Sequence, residues 1–595
     1  MGVQAADAIV GALAGAGTRL MFGVPGGGPN LDVVGAASAA GLRFVLAHGE
    51  TAAAIMAASY ADLTGAPGSV LVTRGPGLAS AVNGIAHAAL DRLPVVVIAD
   101  TVPAADGGRI SHQRIGQAAL GRSVAKATAT VGGPHAAQAA EWLVQQALAT
   151  PAGPVIATMD DSASPSDGVT RGGGAFSTSL KGNTPTMVDG IGAEDVDPES
   201  EQSGGNGRAA AAEGTGPCDW GEAASVLAGA LRAARRPVLL LGSGAIAQTA
   251  AVRKALAGRG IPALHTYRAR GILPDDGADA AGLVTGGTVE WPLLDAADLI
   301  VALGVDEAEM IPSAWDYNAR TILVTGPQAS HGYFTGATAL RLPLDRALDV
   351  IAESPEHDWP PGTGRAVKAD AVRRLLTAAS AAPGRLAPQQ VAAVVRAGTP
   401  PQTIATVDAG AHMLVTMPLW EVPEPRRLLI SSGLATMGYA LPAAIAAALC
   451  APQVPVVAFT GDGGLGMTLA EVETAVRLGL RIIVVVFNDA ALSLIQIKQQ
   501  PTGQGGEEAV RYRRTDFAAA AVAMGAAGAA VGTERDLAAA LAGALRRPDP
   551  TVIDASVDPA CYPAVMDLSR GQAGRRSLPG TGRADSLPTA KEHTQ

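Results

Sequence analysis

Two short motifs in the C-terminal third of the chain combine residue types suited to holding a metal ion and a diphosphate together. Gly461-Asp462-Gly463 closes an apolar run at 456–459, and Asn488-Asp489 closes a β-branched run at 482–487. Two aspartates supply hard oxygen ligands of the kind Mg²⁺ takes from a protein, the rest of its octahedron coming from water and phosphate oxygens. Glycines beside the first aspartate leave backbone N–H groups open to an anion at the start of a helix. Taken alone, the Gly-Asp-Gly segment could equally be an ordinary strand-to-helix turn.

The elements around these motifs must bring the two aspartates together. The run at 456–459 reads as a strand, 469–478 as a helix, and 482–487 as a buried parallel strand, which makes a βαβ unit. In such a unit both strand C-termini open on the same edge of the sheet, so Asp462 and Asp489 can converge there.

Further motifs occur in a consistent order: Phe22-Gly23-Val24-Pro25-Gly26, Ala47-His48-Gly49-Glu50, Thr73-Arg74-Gly75-Pro76-Gly77, Asp408-Ala409-Gly410-Ala411-His412 and Gly433-Leu434-Ala435-Thr436-Met437-Gly438-Tyr439. With the Gly-Asp-Gly unit, this series resembles the thiamine diphosphate (ThDP) enzymes, most closely their acetolactate synthase-like branch. The resemblance implies that Asp462, Asp489 and the Ala491 carbonyl hold Mg²⁺, and that Gly410, Ala411, His412, Gly463 and Gly464 receive the diphosphate. Pro25, Gly26, Thr73 and Pro76 fall in the half that binds the pyrimidine ring. The Ala435 carbonyl would accept from the aminopyrimidine, and Met437 would prop the cofactor in its bent form, although a methionine there could also be core filler.

For catalysis the resemblance singles out Glu50, which would share a proton with the pyrimidine ring; a glutamate in a helix's first turn is otherwise favoured by the macrodipole alone. His48 is one place further from the acid than the family's usual histidine, and Gln113 matches a glutamine that faces the substrate, with His112 before it in place of a phenylalanine. Leu78-Ala79-Ser80 replaces the more usual Ala-Thr-Asn. Leu303-Gly304-Val305-Asp306 replaces an Arg-Phe-Asp stretch of flavin-binding members, which leaves FAD open.

Composition sets the limits. The 595 residues are 48% hydrophobic and 16% charged, enough for several buried cores. A net charge of −10 without clustered Lys or Arg argues against nucleic acid or a membrane surface as partner. Three scattered cysteines, Cys218, Cys450 and Cys561, give no disulfide framework or zinc site and suit a reducing cytoplasm.

The expected fold is α/β, with three doubly wound parallel-sheet domains. These are a pyrimidine-binding domain at 1–160, a central domain at 218–355 and a diphosphate-binding domain at 385–568. Strands are expected at Arg43–Leu46, 69–73, 95–99 and Val155–Met159, then at Pro237–Leu241, Leu299–Leu303 and 321–324. Residues 161–217 are rich in Gly, Ser, Asp, Glu and Pro and read as a flexible linker. A helical connector occupies 356–384, and a disordered tail 569–595. The Gly242-Ser243-Gly244 turn could cradle a phosphate or be simply a tight turn.

The resemblance implies a ThDP- and Mg²⁺-dependent enzyme that decarboxylates pyruvate and joins the two-carbon fragment to a second 2-oxo acid. It would work as a homodimer or homotetramer, with a small regulatory subunit as a further partner. A non-oxidative 2-oxo acid decarboxylase of the benzoylformate type and a catalytically silent regulatory or scaffold subunit are the alternatives.

Overall fold

The computed structural model describes residues 3–103, 106, 109–160, 170–171, 220–325, 332–499 and 506–571. The first domain contributes β1 (Leu20–Val24), β2 (Arg43–Leu46), β3 (Gly68–Val72), β4 (Val95–Asp100), β5 (Ala127–Val131), β6 (Val155–Met159) and β7 (Thr170–Arg171). Next come β8 (Pro237–Leu241), β9 (Ala263–His265), β10 (Ala280–Leu283), β11 (Leu299–Leu303), β12 (Arg320–Thr325) and β13 (Thr338–Arg341) in the central domain. The third holds β14 (Ile404–Val407), β15 (Leu428–Ile430), β16 (Val456–Gly461), β17 (Ile482–Asn488), β18 (Ala527–Val531) and β19 (Thr551–Ser556).

The expected architecture of three α/β domains is present. The sheets run β2-β1-β3-β4-β6-β5-β7, β10-β9-β8-β11-β12-β13 and β15-β14-β16-β17-β19-β18. Every pairing is parallel except that of β7, a short antiparallel strand on the edge of β5. Counted from each domain's own first strand, the first and third sheets share the order 2-1-3-4-6-5, whereas the central sheet runs 3-2-1-4-5-6. Each order first reverses direction beside its own first strand, and the crevice beyond the strand C-termini at that reversal is where such sheets bind ligands. It lies between β1 and β3, β8 and β11, and β14 and β16.

The central strands are apolar along their whole length because helices cover both faces; β4, β8, β11 and β17 are buried at every residue. The helix Glu50–Thr64 packs against Ala440–Cys450, so one apolar core runs from the first domain into the third. Both helices are rich in buried alanine, Ala53, Ala54, Ala57 and Ala58 on one and Ala440, Ala444 and Ala447 on the other, and Ile55 packs with Tyr439 and Ala443 between the domains.

Several details depart from the sequence reading. Asp462 does not sit in a turn before the helix but opens one, Asp462–Thr468, and the expected helix at 469–478 is the separate segment Glu471–Arg477. Thr170 and Arg171 form β7 inside the stretch read as linker, the rest of which lies outside the described residues. Ser569 and Arg570, assigned to a disordered tail, close the helix Tyr562–Arg570, where the Ser569 hydroxyl donates to the Leu414 carbonyl at 3.1 Å. Beyond Gly571 the tail lies outside the described residues. No helix among the described residues is long and apolar enough to cross a membrane.

Candidate active site

In the third domain, the loops after β14, β16 and β17 meet around a cavity of about 220 Å³. Gly410, Ala411, His412, Ala435, Met437, Asp462, Gly463, Gly464, Asp489 and Ala491 all line it, so ten of the residues singled out in the sequence converge. Asp462, 3% exposed, is held rigidly. One carboxylate oxygen accepts from the Gly463 N–H at 2.7 Å and the Tyr512 hydroxyl at 2.6 Å; the other accepts from the N–H groups of Ala490 at 2.6 Å and Asp489 at 3.2 Å. Ala490 adopts a left-handed φ of 59°, which turns the chain so that its amide can reach the carboxylate. Ser493 donates to the Asp489 carboxylate.

No Lys or Arg pairs with either carboxylate among the described residues. Burial pushes Asp489 up to about 7, the neighbouring Asp462 charge adding to the effect, and burial raises Asp462 as well. Two buried like charges without a counter-ion are stable only if a cation joins them or a proton stays on one. Two carboxylates fit Mg²⁺, which needs few protein ligands.

The walls fit an anionic ligand. His412 is 3% exposed and burial lowers it to about 4, so its ring is neutral at physiological pH. The ring hydrogen-bonds the Asp408 backbone, while Nε2 has no partner. An orphaned nitrogen so deeply buried is costly unless a ligand meets it. A Cβ on Gly463 would come within 2.8 Å of Leu492 and 3.3 Å of Met437, and one on Gly464 would strike the Asp408 carboxylate.

Asp408, which the sequence reading left without a role of its own, ties three of these segments together. It accepts from the Ala409 N–H at 2.9 Å, the Tyr439 N–H at 3.1 Å and the Thr460 hydroxyl at 2.9 Å. Burial pushes it up to about 6. Tyr512 was also missed, since no motif marks it. Ala435 has a left-handed φ of 51° and is exposed, and Met437 is half-buried against the cavity.

The first domain's candidates form a second group, and none of them lines that cavity. The Gly26 N–H donates to Asn30 at 2.9 Å, and Asn30 donates to Asp100 at 3.2 Å. Asp100 in turn accepts from the Arg74 N–H at 2.7 Å and pairs with its guanidinium at 3.0 Å. This network locks the Pro25-Gly26 loop to the segment Thr73–Pro76 across the β1/β3 crevice. Asn30 and Asp100 went unread because single polar residues at an element's end carry no pattern. Glu50 is the first residue of its helix and half-buried, with Oε1 3.4 Å from where a Cβ on Gly77 would lie. Gln113 is exposed at a φ of 57°, its carbonyl against Gly75 where a side chain would collide. His48 is exposed, on the loop that leads into Glu50, and its ring pairs through Nε2 with Glu473 at 2.7 Å.

At the central crevice lies a cavity of about 600 Å³, lined among others by Ser243, Gly244, Arg268, Gly304 and Asp306. The Glu309 carboxylate, 6% exposed, accepts from the Ser243 N–H at 3.1 Å, from the Ser243 hydroxyl at 2.5 Å and from Thr266. Glu309 thus occupies the donors of Ser243, and the N–H groups of Gly242 and Gly244 donate to the Leu303 and Gly304 carbonyls at 2.9 Å, so the turn itself offers no free donor to a phosphate, while the cavity beside it leaves FAD open.

Sequence comparisons agree with this geometry. Residues 3–120, 224–332 and 408–555 match the family models of the thiamine pyrophosphate enzyme N-terminal TPP binding domain, central domain and C-terminal TPP binding domain. The chain belongs to the thiamine pyrophosphate enzyme family. Among its relatives are an acetolactate synthase of Bacillus subtilis (strain 168), 29% identical with 93% of each chain covered, and a 2-hydroxyacyl-CoA lyase of Oryza sativa subsp. japonica, 28% identical with 92% of this chain and 94% of that one covered. The solved thiamine diphosphate-dependent 4-hydroxybenzoylformate decarboxylase of Rhodococcus jostii RHA1 shares the fold, with a TM-score of 0.72, 20% identity, and 93% of this chain and 99% of that one covered.

Proposed function

We propose that the protein is a ThDP- and Mg²⁺-dependent carboligase of 2-oxo acids, acetolactate synthase-like, that decarboxylates pyruvate and joins the remaining two-carbon unit to a second 2-oxo acid. The observation that carries this reading is the pair of carboxylates without a cationic partner, buried Asp462 and half-buried Asp489, in a glycine-walled cavity beside a neutral imidazole whose Nε2 is unpartnered. Asp462, Asp489 and the Ala491 carbonyl would hold the metal; His412 and the Gly463 and Gly464 amides would bind the diphosphate. When bound, ThDP supplies the carbon nucleophile and the electron sink for loss of CO₂. Glu50 would hold the proton shared with the pyrimidine, Met437 would support the bound cofactor, and the apolar cavity wall would exclude water.

Since no first-domain residue lines the cavity, Glu50 is assigned to the cavity of a second copy of the chain, two equivalent sites lying across an isologous interface. Incubation with ThDP, Mg²⁺ and a panel of 2-oxo acids, reading CO₂ and condensed products, tests the reaction: acetolactate supports it, and an aldehyde as the sole product makes the protein a decarboxylase. Mixing inactive Glu50→Gln and Asp462→Ala chains tests the shared site. Activity should return at the one site that combines both intact halves, and no recovery despite verified subunit exchange refutes it.

A further inference from the structure

The loop that delivers Glu50 to its place is gripped from the third domain of the same chain. The helix Glu50–Thr64 begins at Gly49, whose position has no side-chain cap of its own. A glycine entry leaves the first N–H groups without partners and the backbone free to pivot. Glu471, at the start of the helix Glu471–Arg477, is 2% exposed and meets that need. Its Oε1 accepts from the N–H groups of His48 at 3.0 Å and Gly49 at 3.1 Å, and its Oε2 accepts from the Thr474 hydroxyl at 2.7 Å. Two further residues of the same helix hold the loop on either side: Glu473 pairs with the His48 ring at 2.7 Å, and Arg477 donates to the Leu46 carbonyl at 2.7 Å.

We propose that Glu471 is a positioning residue, which fixes the angle at which Glu50 leaves its loop by capping that loop's backbone from another domain. The inference rests on the reading of Glu50 as the proton-sharing acid. A buried carboxylate accepting two backbone N–H bonds is a strong, charge-assisted anchor, and Thr474 holds it in one rotamer. The helix that Glu471 opens follows directly on the helix that Asp462 opens. One stretch of chain therefore carries a metal ligand at its start and the clamp on the acid at its end.

The test uses the full-length protein loaded with ThDP and Mg²⁺. Hydrogen–deuterium exchange at C2 of the bound cofactor, read by NMR after acid quench, is compared with kcat, KM and ThDP affinity. Glu471→Ala should slow exchange and kcat together by about 10–100-fold, the range for loss of a group that orients a reacting one, with ThDP affinity retained. Glu471→Gln, whose amide oxygen can still accept both bonds, should restore most of the rate. Thr474→Val should give an intermediate loss. A purely structural contribution would lower thermal stability and leave exchange on bound cofactor unchanged, which overturns the proposal. If Glu471→Ala does not fold, a wild-type exchange rate in Thr474→Val overturns it instead. Normal exchange in Glu471→Ala alongside abolished exchange in Glu50→Gln defeats the clamp alone, whereas normal exchange in Glu50→Gln defeats both the clamp and the reading beneath it.

Discussion

The first and third domains are built on the same strand order, yet the matching strand ends carry opposite electrostatics. After the third strand, the first domain places Arg74-Gly75 and the third places Asp462-Gly463. After the fourth, the first domain ends in Asp100 and the third in Asn488-Asp489. Arg74 and Asp100 neutralise each other at 3.0 Å and stitch the crevice shut. Asp462 and Asp489 repel each other, a cost relieved by a proton kept on one or by a cation between them. One exchange of charge sign separates a crevice locked from within from one left with excess negative charge, and the scaffold by itself decides neither.

The comparison predicts a division of labour, in which the first domain contributes rate and the third affinity. The largest expected effect is that of Glu50→Gln, which should lower turnover by about 10²–10⁴, the usual worth of acid–base help, with ThDP affinity retained in titration calorimetry. Loss of affinity in place of rate would break the division. Next, Asp462→Ala and Asp489→Ala should each weaken Mg²⁺ and ThDP binding by about 100-fold or more, beyond what loss of a merely supporting partner costs. Unchanged affinity in both would remove the metal assignment.

A smaller effect concerns Asp408, whose folded value of about 6 lies above the ordinary carboxylate value because it is buried. Between about pH 4 and that value the folded protein keeps a proton that the unfolded chain has lost, so this group's contribution to stability falls as pH rises and levels off above the window. Asp408→Asn, which can keep the bonds to Ala409, Tyr439 and Thr460, should flatten that slope in denaturation series at fixed pH; a slope as steep as the wild type's would assign it to other groups. The smallest expected effect is none at all: a cavity is open at the central crevice, but Glu309 holds the Ser243 donors that a flavin phosphate would need, so added FAD should neither bind nor change activity. Flavin absorbance in stoichiometric amount on the purified protein would contradict this.

In the third domain β14, β15, β18 and β19 went unread, but the β16–β17 unit was legible because β17 is an unbroken β-branched and aromatic run and Asp462 and Asp489 stand at the two strand ends. The short strands β9, β10 and β13 were not, since three or four residues in a sheet made by long-range pairing carry little periodicity. β1 was read only as a motif. Its Gly23, where a Cβ would collide with the Leu71 carbonyl, serves close strand packing that no single sequence window reports. Asp408 and Glu471 escaped for a related reason: each is defined by partners on distant segments, and His48 lies 423 positions from the carboxylate that caps it. Spacing did reveal His48, but as a candidate acid or base, while the fold puts its ring on an exposed ion pair.

The alanine contact between the helices Glu50–Thr64 and Ala440–Cys450 bears on how the molecule comes apart. Side chains this small hold the two backbones close, and any larger residue at Ala57 or Ala444 would act as a wedge. The core they share is continuous, whereas the central domain keeps two cores of its own and sends the buried Tyr267 and Leu283 into the third domain's second core. Three sheets therefore amount to two cooperative units, and the outer pair should melt as one. Separately expressed, the first domain would expose an apolar face normally covered by the third, so these halves are not modules that can be exchanged independently between relatives.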